Sequence, residues 1–138
     1  MASVANYVII EPDSVSANVG DGLPPYVKSF DAPDYNGENA VLSLMVKGFT
    51  AATSPMLVKI NGFTIGQIVP HRYSSYFDRE EVSTHQFTQT CTITASIIQA
   101  LTPNTVEIAA VGFPEGTPGN VLDNCSFQDI VLFYKVDL

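Results

Sequence analysis

The sequence contains no tryptophan, and it holds only six lysine and arginine residues among its 138 residues. Fourteen aspartate and glutamate residues outnumber them and give a formal net charge of -8. Proteins that bind nucleic acids or anionic lipid surfaces neutralise phosphates with clustered basic side chains. Because the six basic residues are spread along the chain, we expect neither nucleic acid nor an anionic membrane surface as a partner.

Long hydrophobic runs are also missing. No run approaches the roughly 20 apolar residues that a membrane-spanning helix requires. The first residues, MASVANYVIIEPDS, lack the basic segment of a secretory signal peptide, and their apolar run ends at Glu11. The sequence therefore predicts a soluble chain without membrane insertion or a cleavable signal peptide, and it leaves the compartment open.

The sequence has two cysteines, Cys91 and Cys125, and neither belongs to a CxxC pair or lies at zinc-ligand spacing from a histidine. A zinc site is therefore not expected. Two interpretations remain for the cysteines. They are either buried thiols that act as small apolar groups or the two halves of one disulfide between strands.

The composition is that of a folded domain. Hydrophobic residues make up 46% of the chain and charged residues 14%, which is unlike the charged, weakly hydrophobic composition of disordered chains. A length of 138 residues suits one ordinary domain. Because no linker and no internal repeat divides the sequence, we expect one domain over residues 1–138.

Apolar residues recur at every second position or in short runs, and not at helical spacing. The predicted strands are Tyr7–Ile10, Tyr26–Phe30, Ala40–Phe49, Leu57–Ile60, Phe63–Val69, Phe87–Ile98, Val106–Phe113 and Phe127–Val136. Residues 12–24 and 114–124 are rich in Gly, Pro, Asp and Asn and predict loops. About eight strands with regularly spaced turns favour an all-β fold, a single-domain antiparallel β-sandwich of jelly-roll type.

Two of these strands carry more detailed predictions. Ala40–Phe49 is apolar at both odd and even positions, which predicts a central strand with both faces largely buried. Phe87–Ile98 alternates between threonines and apolar residues, so we expect its threonines on the solvent side. Residues 96–101 have an alternative interpretation as a helical turn before Pro103.

The dipeptide Asn61-Gly62 separates two apolar runs. Asn-Gly is the preferred pair for a type I′ hairpin turn, because both central residues need a positive φ. We therefore expect a tight hairpin at this point.

Three segments in order resemble the galactose-binding-like jelly-roll superfamily over about half of the chain. They are VKINGFTIGQIVP at Val58–Pro70, ASIIQALTPNTVEIAAV at Ala95–Val111 and SFQDIVLFYKV at Ser126–Val136. The resemblance implies a β-sandwich scaffold in which Asn61, Gly62 and Asn104 serve turns. Members of such a superfamily include glycan binders, enzyme appendages and assembly modules, so the resemblance does not select a function.

Residues for catalysis are sparse. The two histidines are His71 and His85, and the sequence has neither a G-x-S-x-G nucleophile turn nor a phosphate-binding loop. Cys91 lies on the apolar face of a predicted strand, which does not suit a reactive thiol. We therefore predict that the protein is not an enzyme.

The segment between residues 71 and 85 is the strongest candidate for a ligand or partner site, because it combines aromatic planes with fixed donors and acceptors. Its candidate residues are His71, Arg72, Tyr73, Tyr76, Phe77, Asp78 and Arg79. Tyr and Arg are typical of protein contact sites, and the same mixture suits sugars. Alternatively, the aromatic residues cover the open end of the core and the charged residues form weak surface pairs.

The turn-rich stretch DAPDYNGEN gives a weak candidate for calcium, because hard cations prefer six to eight oxygen ligands. The oxygen-bearing side chains are Asp31, Asp34, Asn36 and Glu38. Their spacing differs from that of a calcium-binding loop, and the alternative is a solvated acidic turn. No cofactor is otherwise expected.

The composition favours a structural or assembly role. The chain has few charged residues, a mean hydropathy of +0.17 and no catalytic set. We therefore predict a non-catalytic module that forms a homo-oligomer or joins a larger protein complex. The alternative is a carbohydrate-binding, lectin-like module that uses the 71–85 loop.

Overall fold

The computed structural model describes residues 2–19, 25–47, 56–68, 86–110 and 123–138. These residues form nine strands: β1 (Ser3–Glu11), β2 (Val15–Val19), β3 (Tyr26–Phe30), β4 (Ala40–Lys47), β5 (Met56–Ile60), β6 (Phe63–Ile68), β7 (Gln86–Ile93), β8 (Asn104–Ala110) and β9 (Asp123–Asp137). No helix occurs among them, and none of the described residues forms a helix that could cross a membrane.

The strands form two antiparallel sheets that pack as a β-sandwich, as the sequence predicts. One sheet has the order β1-β9-β4-β7, and β2 extends its β1 edge by pairing with the first part of β9. The other sheet has the order β3-β8-β5-β6. Because the chain passes repeatedly from one sheet to the other, residues far apart in sequence line a common core, as in a jelly roll.

The core lies between the two sheets and is built from alternate residues of each strand. Leu42, Leu44 and Val46 of β4 point into it, and Val58 and Ile60 of β5 meet them from the other sheet. All five are fully buried. Burial of such side chains stabilises a fold by about 1.5–3 kcal/mol each. Because alternate side chains of a strand point to the same face, an apolar residue at every second position predicts a strand with one face in the core.

The predicted type I′ turn is confirmed. Asn61 and Gly62 have φ values of 51° and 84° and connect β5 to β6. In this turn both central residues lie in the left-handed region, which Asn tolerates and Gly enters freely. The pairing of β5 with β6 shifts its register once, between Val58 and Lys59. Val58 pairs with Gly66, whereas Lys59 pairs with Thr64.

Several predicted boundaries are wrong. Residues 12–24 were expected to form a loop, but β2 occupies Val15–Val19 because the long β9 offers a partner to its backbone. For the same reason β9 begins at Asp123, inside the loop predicted over 114–124. Strand β7 ends at Ile93, before the predicted Ile98, and the residues after it form turns and bends instead of the alternative helical turn.

The prediction that both faces of β4 are largely buried is also wrong. The strand is central, as expected, since it pairs with β7 on one side and β9 on the other. Its outward residues, however, are exposed at Val41 and half-buried at Ser43 and Met45. The reason is that a sheet in a two-layer sandwich has only one face against the core.

One open side of the sandwich is closed by polar contacts between β1 and β3. Lys28 Nζ lies 3.6 Å from Glu11 Oε2, and Tyr26 Oη donates to Glu11 Oε1 at 3.5 Å. Burial and then the charge of Glu11 raise the pKa of Tyr26 to about 12. The phenol therefore stays protonated across the ordinary pH range.

The other side is closed by a very near approach of β6 and β7. A Cβ atom added at Gly66 would lie 2.5 Å from Cys91 Sγ and 3.3 Å from Cys91 Cβ. Cys91 is buried, so its sulfur has little room to move. The two sheets can therefore meet at this point only because residue 66 has no side chain.

We expect Gly66→Ala to lower the free energy of unfolding by about 1–3 kcal/mol, because overpacking displaces well-packed groups. Urea denaturation measures this loss. In a Cys91→Ala background the same glycine substitution should cost less, since the clashing sulfur is absent. Equal losses in the two backgrounds would contradict the proposed clash, and Thr64→Ala on the exposed face of β6 serves as the neutral control.

Candidate functional site

The residues of the predicted 71–85 site lie outside the part of the chain that the structure describes. This applies to all seven candidates: His71, Arg72, Tyr73, Tyr76, Phe77, Asp78 and Arg79. Their role stays a prediction. The remaining candidates, and the faces of both sheets, can be placed.

The four oxygen-bearing residues of the calcium candidate lie in the connection between β3 and β4. Asn36 Nδ2 donates to Asp137 Oδ1 at 3.1 Å, and Asn36 Oδ1 accepts from the Glu38 backbone N at 3.0 Å. Glu38 Oε2 is 3.1 Å from Lys135 Nζ. Two of the four side chains thus have partners within the protein, and these contacts attach the turn to the end of β9.

No cluster of three or more histidine, cysteine, aspartate or glutamate residues suited to a metal ion occurs among the described residues. Tyr35 also holds the turn in place, because its side chain is buried and its hydroxyl donates to the Glu38 carbonyl. Asp34 adopts a φ of 62°. Calcium binding by this turn stays a prediction, and the contacts described here give the turn a structural role.

Cys91 is a free, buried thiol on the core face of β7. Burial raises its pKa, so the thiol stays protonated and unreactive. The interpretation of Cys91 as a small apolar group is therefore confirmed. A disulfide between Cys91 and Cys125 is ruled out, because Cys91 is free. Strand β4 also lies between β7 and β9, so the Cα atoms of the two cysteines are separated by at least two strand spacings of about 4.8 Å, which is farther than a disulfide can span.

The most distinctive surface is the outward side of the five-stranded sheet. Tyr7 of β1 lies opposite Phe133 of β9, and Phe133 lies opposite Val41 of β4. One step along the sheet, Ile9 lies opposite Val131. Directly opposed residues of an antiparallel pair share a face, so these five side chains form one contiguous patch, which we call the outer apolar face.

Large parts of these side chains are open to solvent. Tyr7 is 61% exposed, Ile9 52% and Phe133 46%. The rings of Tyr7 and Phe133 lie side by side with centroids 6.5 Å apart and planes inclined by 45°. Single exposed apolar residues are ordinary on protein surfaces, whereas a contiguous exposed group is less common.

Threonines extend the outer apolar face on the side of β7. Thr92 lies opposite Val41, and Thr90 lies opposite Ser43. Thr88, Thr90, Thr92 and Thr94 are all exposed, as the sequence predicts. Hydroxyl groups at this border can donate and accept hydrogen bonds without bringing a charge to the surface.

The two rows of the outer apolar face contain no charged residue. The row of Tyr7 continues through Phe133 and Val41 to Thr92, and the row of Ile9 continues through Val131 and Ser43 to Thr90. The outward side of the other sheet differs, because Lys59 and Glu107 lie opposite each other near its centre. The centre of one outward side is therefore apolar, and the centre of the other carries a charged pair. Farther along the first sheet, the outward side also carries Lys47, Lys135 and Asp137.

The outer apolar face was not predicted from the sequence. The available signal was the run Tyr7-Val8-Ile9-Ile10, which is apolar at both odd and even positions. In a strand of a two-layer sandwich such a run must leave one set of apolar side chains outside the core. Strand β9 carries a comparable run at residues 130–134, but its alternation changes phase earlier in the strand, so the pattern alone does not tell which residues face outward.

No family model matches the chain. No curated protein matches its sequence either. Among solved structures, the native structure of a family 35 carbohydrate binding module from Clostridium thermocellum is similar to the chain over 93% of this chain and 97% of that module. The TM-score of this comparison is 0.44, with 11% sequence identity.

Proposed function

We propose that this protein is a non-catalytic β-sandwich module that acts by association, and that it buries the outer apolar face against a second copy of itself. The observation that carries the proposal is the contiguity of Tyr7, Ile9, Val41, Val131 and Phe133 on one outward side. Such a face is costly to leave in water, since the transfer of apolar surface out of water is favourable by roughly 25 cal/mol per Å².

Charge bears on where a second copy can approach. Each chain carries a formal net charge of -8, so two copies repel each other through most approaches. The two rows of the outer apolar face contain no charged residue, and contact there brings no charges together directly. A twofold arrangement would place each row against its counterpart, because a twofold interface uses the same patch on both subunits.

The first experiment measures the oligomeric state by sedimentation velocity over a range of protein concentrations. We expect the wild-type protein to associate and the double variant Tyr7→Ser/Phe133→Ser to remain monomeric. Val27→Ser is the matched control, because Val27 is an exposed apolar residue on the outward side of the other sheet. A wild-type protein that stays strictly monomeric at high concentration would rule out the self-association.

Salt gives a second test of the same proposal. Added salt screens the repulsion between two acidic chains. We therefore expect association to increase as sodium chloride is raised. A decrease would indicate an interface held together by ion pairs, which the outer apolar face cannot supply.

A second candidate function is carbohydrate binding, and the observation in its favour is the exposed pair Tyr7 and Phe133 beside the threonines of β7. Neighbouring aromatic rings offer planes for the C–H faces of sugars, and hydroxyl groups offer hydrogen bonds. The resemblance to the galactose-binding-like superfamily points the same way. The 71–85 segment is the other proposed place for a glycan.

Calorimetry with simple sugars and oligosaccharides, with and without calcium, separates the two candidates. Glycan binding that is lost in Tyr7→Ser, by a protein that does not associate, would favour the carbohydrate module over assembly. Binding that survives in Tyr7→Ser/Phe133→Ser would instead direct attention to the 71–85 segment. Absence of binding at high sugar concentration would remove this candidate.

A further inference from the structure

We propose that Asn61 is a latent deamidation site, which the folded protein keeps unreactive, and that Asn36 is a matched site of the same chemistry left open. Each asparagine precedes a glycine, in Asn61-Gly62 and Asn36-Gly37. The two sites therefore have the same intrinsic reactivity in an unfolded chain. The fold restrains Asn61 and leaves Asn36 accessible. Modification of Asn61 therefore indicates that the chain has unfolded.

The reaction needs only water and base. The backbone nitrogen of the glycine loses its proton and attacks the side-chain Cγ of the asparagine, and a new N–Cγ bond forms. The Cγ–Nδ2 bond breaks and ammonia leaves, which produces a cyclic imide. Water then opens the ring on either side and yields aspartate or isoaspartate. Glycine allows the attack because it has no side chain to obstruct the approach.

In the folded chain, the Asn61 side chain is held by three hydrogen bonds at its two polar atoms. Nδ2 donates to the Ile97 carbonyl at 2.8 Å and to Asn104 Oδ1 at 2.9 Å. Oδ1 accepts from the Thr105 backbone N at 2.9 Å. The Asn61 backbone N also donates to the Thr105 carbonyl. Rotation of Cγ toward the Gly62 nitrogen would break several of these bonds at once.

Asn36 also has a backbone N that donates, to the Lys135 carbonyl, but its side chain is less restrained than that of Asn61. Its Nδ2 donates to Asp137 Oδ1 at 3.1 Å and its Oδ1 accepts from the Glu38 backbone N at 3.0 Å, and both bonds are exposed to solvent. Water can replace such bonds at little net cost. Gly37 is also exposed and has no atom near the position of a Cβ. The reacting groups at this site can therefore rearrange without opening the core.

The products at Asn61 are incompatible with refolding into the same network. An aspartate places an anionic oxygen where Nδ2 now donates, against the Ile97 carbonyl and Asn104 Oδ1, and both of these are acceptors. Although the Thr105 backbone N can still donate to the other oxygen, a partly buried carboxylate oxygen that faces two acceptors is destabilising. Isoaspartate also lengthens the backbone within a two-residue turn. A chain that reacts while open is thus removed from the folded population.

The test incubates the wild-type protein in mildly alkaline buffer, with and without denaturing urea, and follows both sites by peptide mass mapping. In urea we expect Asn36 and Asn61 to react at similar rates. In the folded protein we expect Asn61 to react at least about tenfold more slowly than Asn36, since reaction then requires opening of the network. Equal rates at the two sites in the folded protein, or no reaction at Asn36, would overturn the proposal.

A variant tests the network itself. Asn104→Ala removes one acceptor of Asn61 Nδ2, so a larger fraction of Asn61 should react in native buffer, while the rate at Asn36 stays unchanged. Asn39→Ala, at an exposed asparagine, is the matched control.

If Asn104→Ala does not fold, the second readout is refolding of urea-treated wild type, in which the refolded fraction should lack the modification at Asn61. Modified Asn61 in refolded protein at the abundance found in urea would contradict the proposal.

Discussion

Replacing Asn104 by alanine is expected to lower the free energy of unfolding by about 3 kcal/mol, because buried polar groups lose their partners. Asn104 is fully buried, the only such polar residue among those the structure describes. Its Oδ1 accepts from Asn61 Nδ2 and from the Gln99 backbone N, and its Nδ2 donates to the Gln99 carbonyl at 2.9 Å. The substitution removes the hydrogen-bond partner of the Gln99 backbone N, of the Gln99 carbonyl and of Asn61 Nδ2.

Urea denaturation followed by circular dichroism measures the effect. Asn39→Ala is the control, because Asn39 is an exposed asparagine whose side chain accepts one bond from the Ala95 backbone N. We expect the control to lose about 1 kcal/mol or less. Similar losses in the two variants would mean that the network around Asn104 does not hold the hairpin to the 94–103 segment.

Phe127→Ala is expected to have the largest effect, a loss of about 3–5 kcal/mol, because it empties a large space in the core. Phe127 is fully buried at the point where β9 pairs with both β2 and β4. Its ring lies 5.9 Å from that of Tyr26 in the opposite sheet. The residue thus lies where three strands of one sheet meet, and its ring reaches β3 of the other sheet, so its loss should weaken the packing between the sheets.

Phe133→Ala is the matched control for this change. Phe133 lies on the same strand but is 46% exposed on the outer apolar face. We expect its replacement to change stability by less than about 1 kcal/mol, while it weakens the self-association. The comparison is made at low protein concentration, where association does not add to stability. A large loss in both variants would indicate that the outward face of β9 is packed in the monomer.

The main elements of the fold were predictable from local patterns. Strand β3 was predicted with its observed bounds, and β5 and β6 were each placed to within one residue at either end. The turn between them was predicted from the need for two positive φ values at Asn61 and Gly62. These predictions succeed because alternation and turn chemistry act over a few neighbouring residues, and the sequence records them directly.

The candidate site was not predictable in the same way. Phe127 and Phe133 are six residues apart on one strand, and simple alternation would place them on the same face. A bulge intervenes, because three steps of β9 from Gln128 to Val131 oppose two steps of β4, and Asp129 adopts a φ of 50°. The extra residue reverses the alternation, so Phe127 points into the core and Phe133 points out.

The sequence by itself determined the fold class, most strands and the hairpin turn, since these depend on local periodicity and on the conformational preferences of Asn and Gly. Only the tertiary structure decided where β2 pairs, that Asn61 and Asn104 share one network, and that Tyr7 and Phe133 meet on an outward face. Those features depend on register between strands more than a hundred residues apart, in the case of β1 and β9. Register is chosen by the packing of the whole sandwich, and no short stretch of sequence contains it.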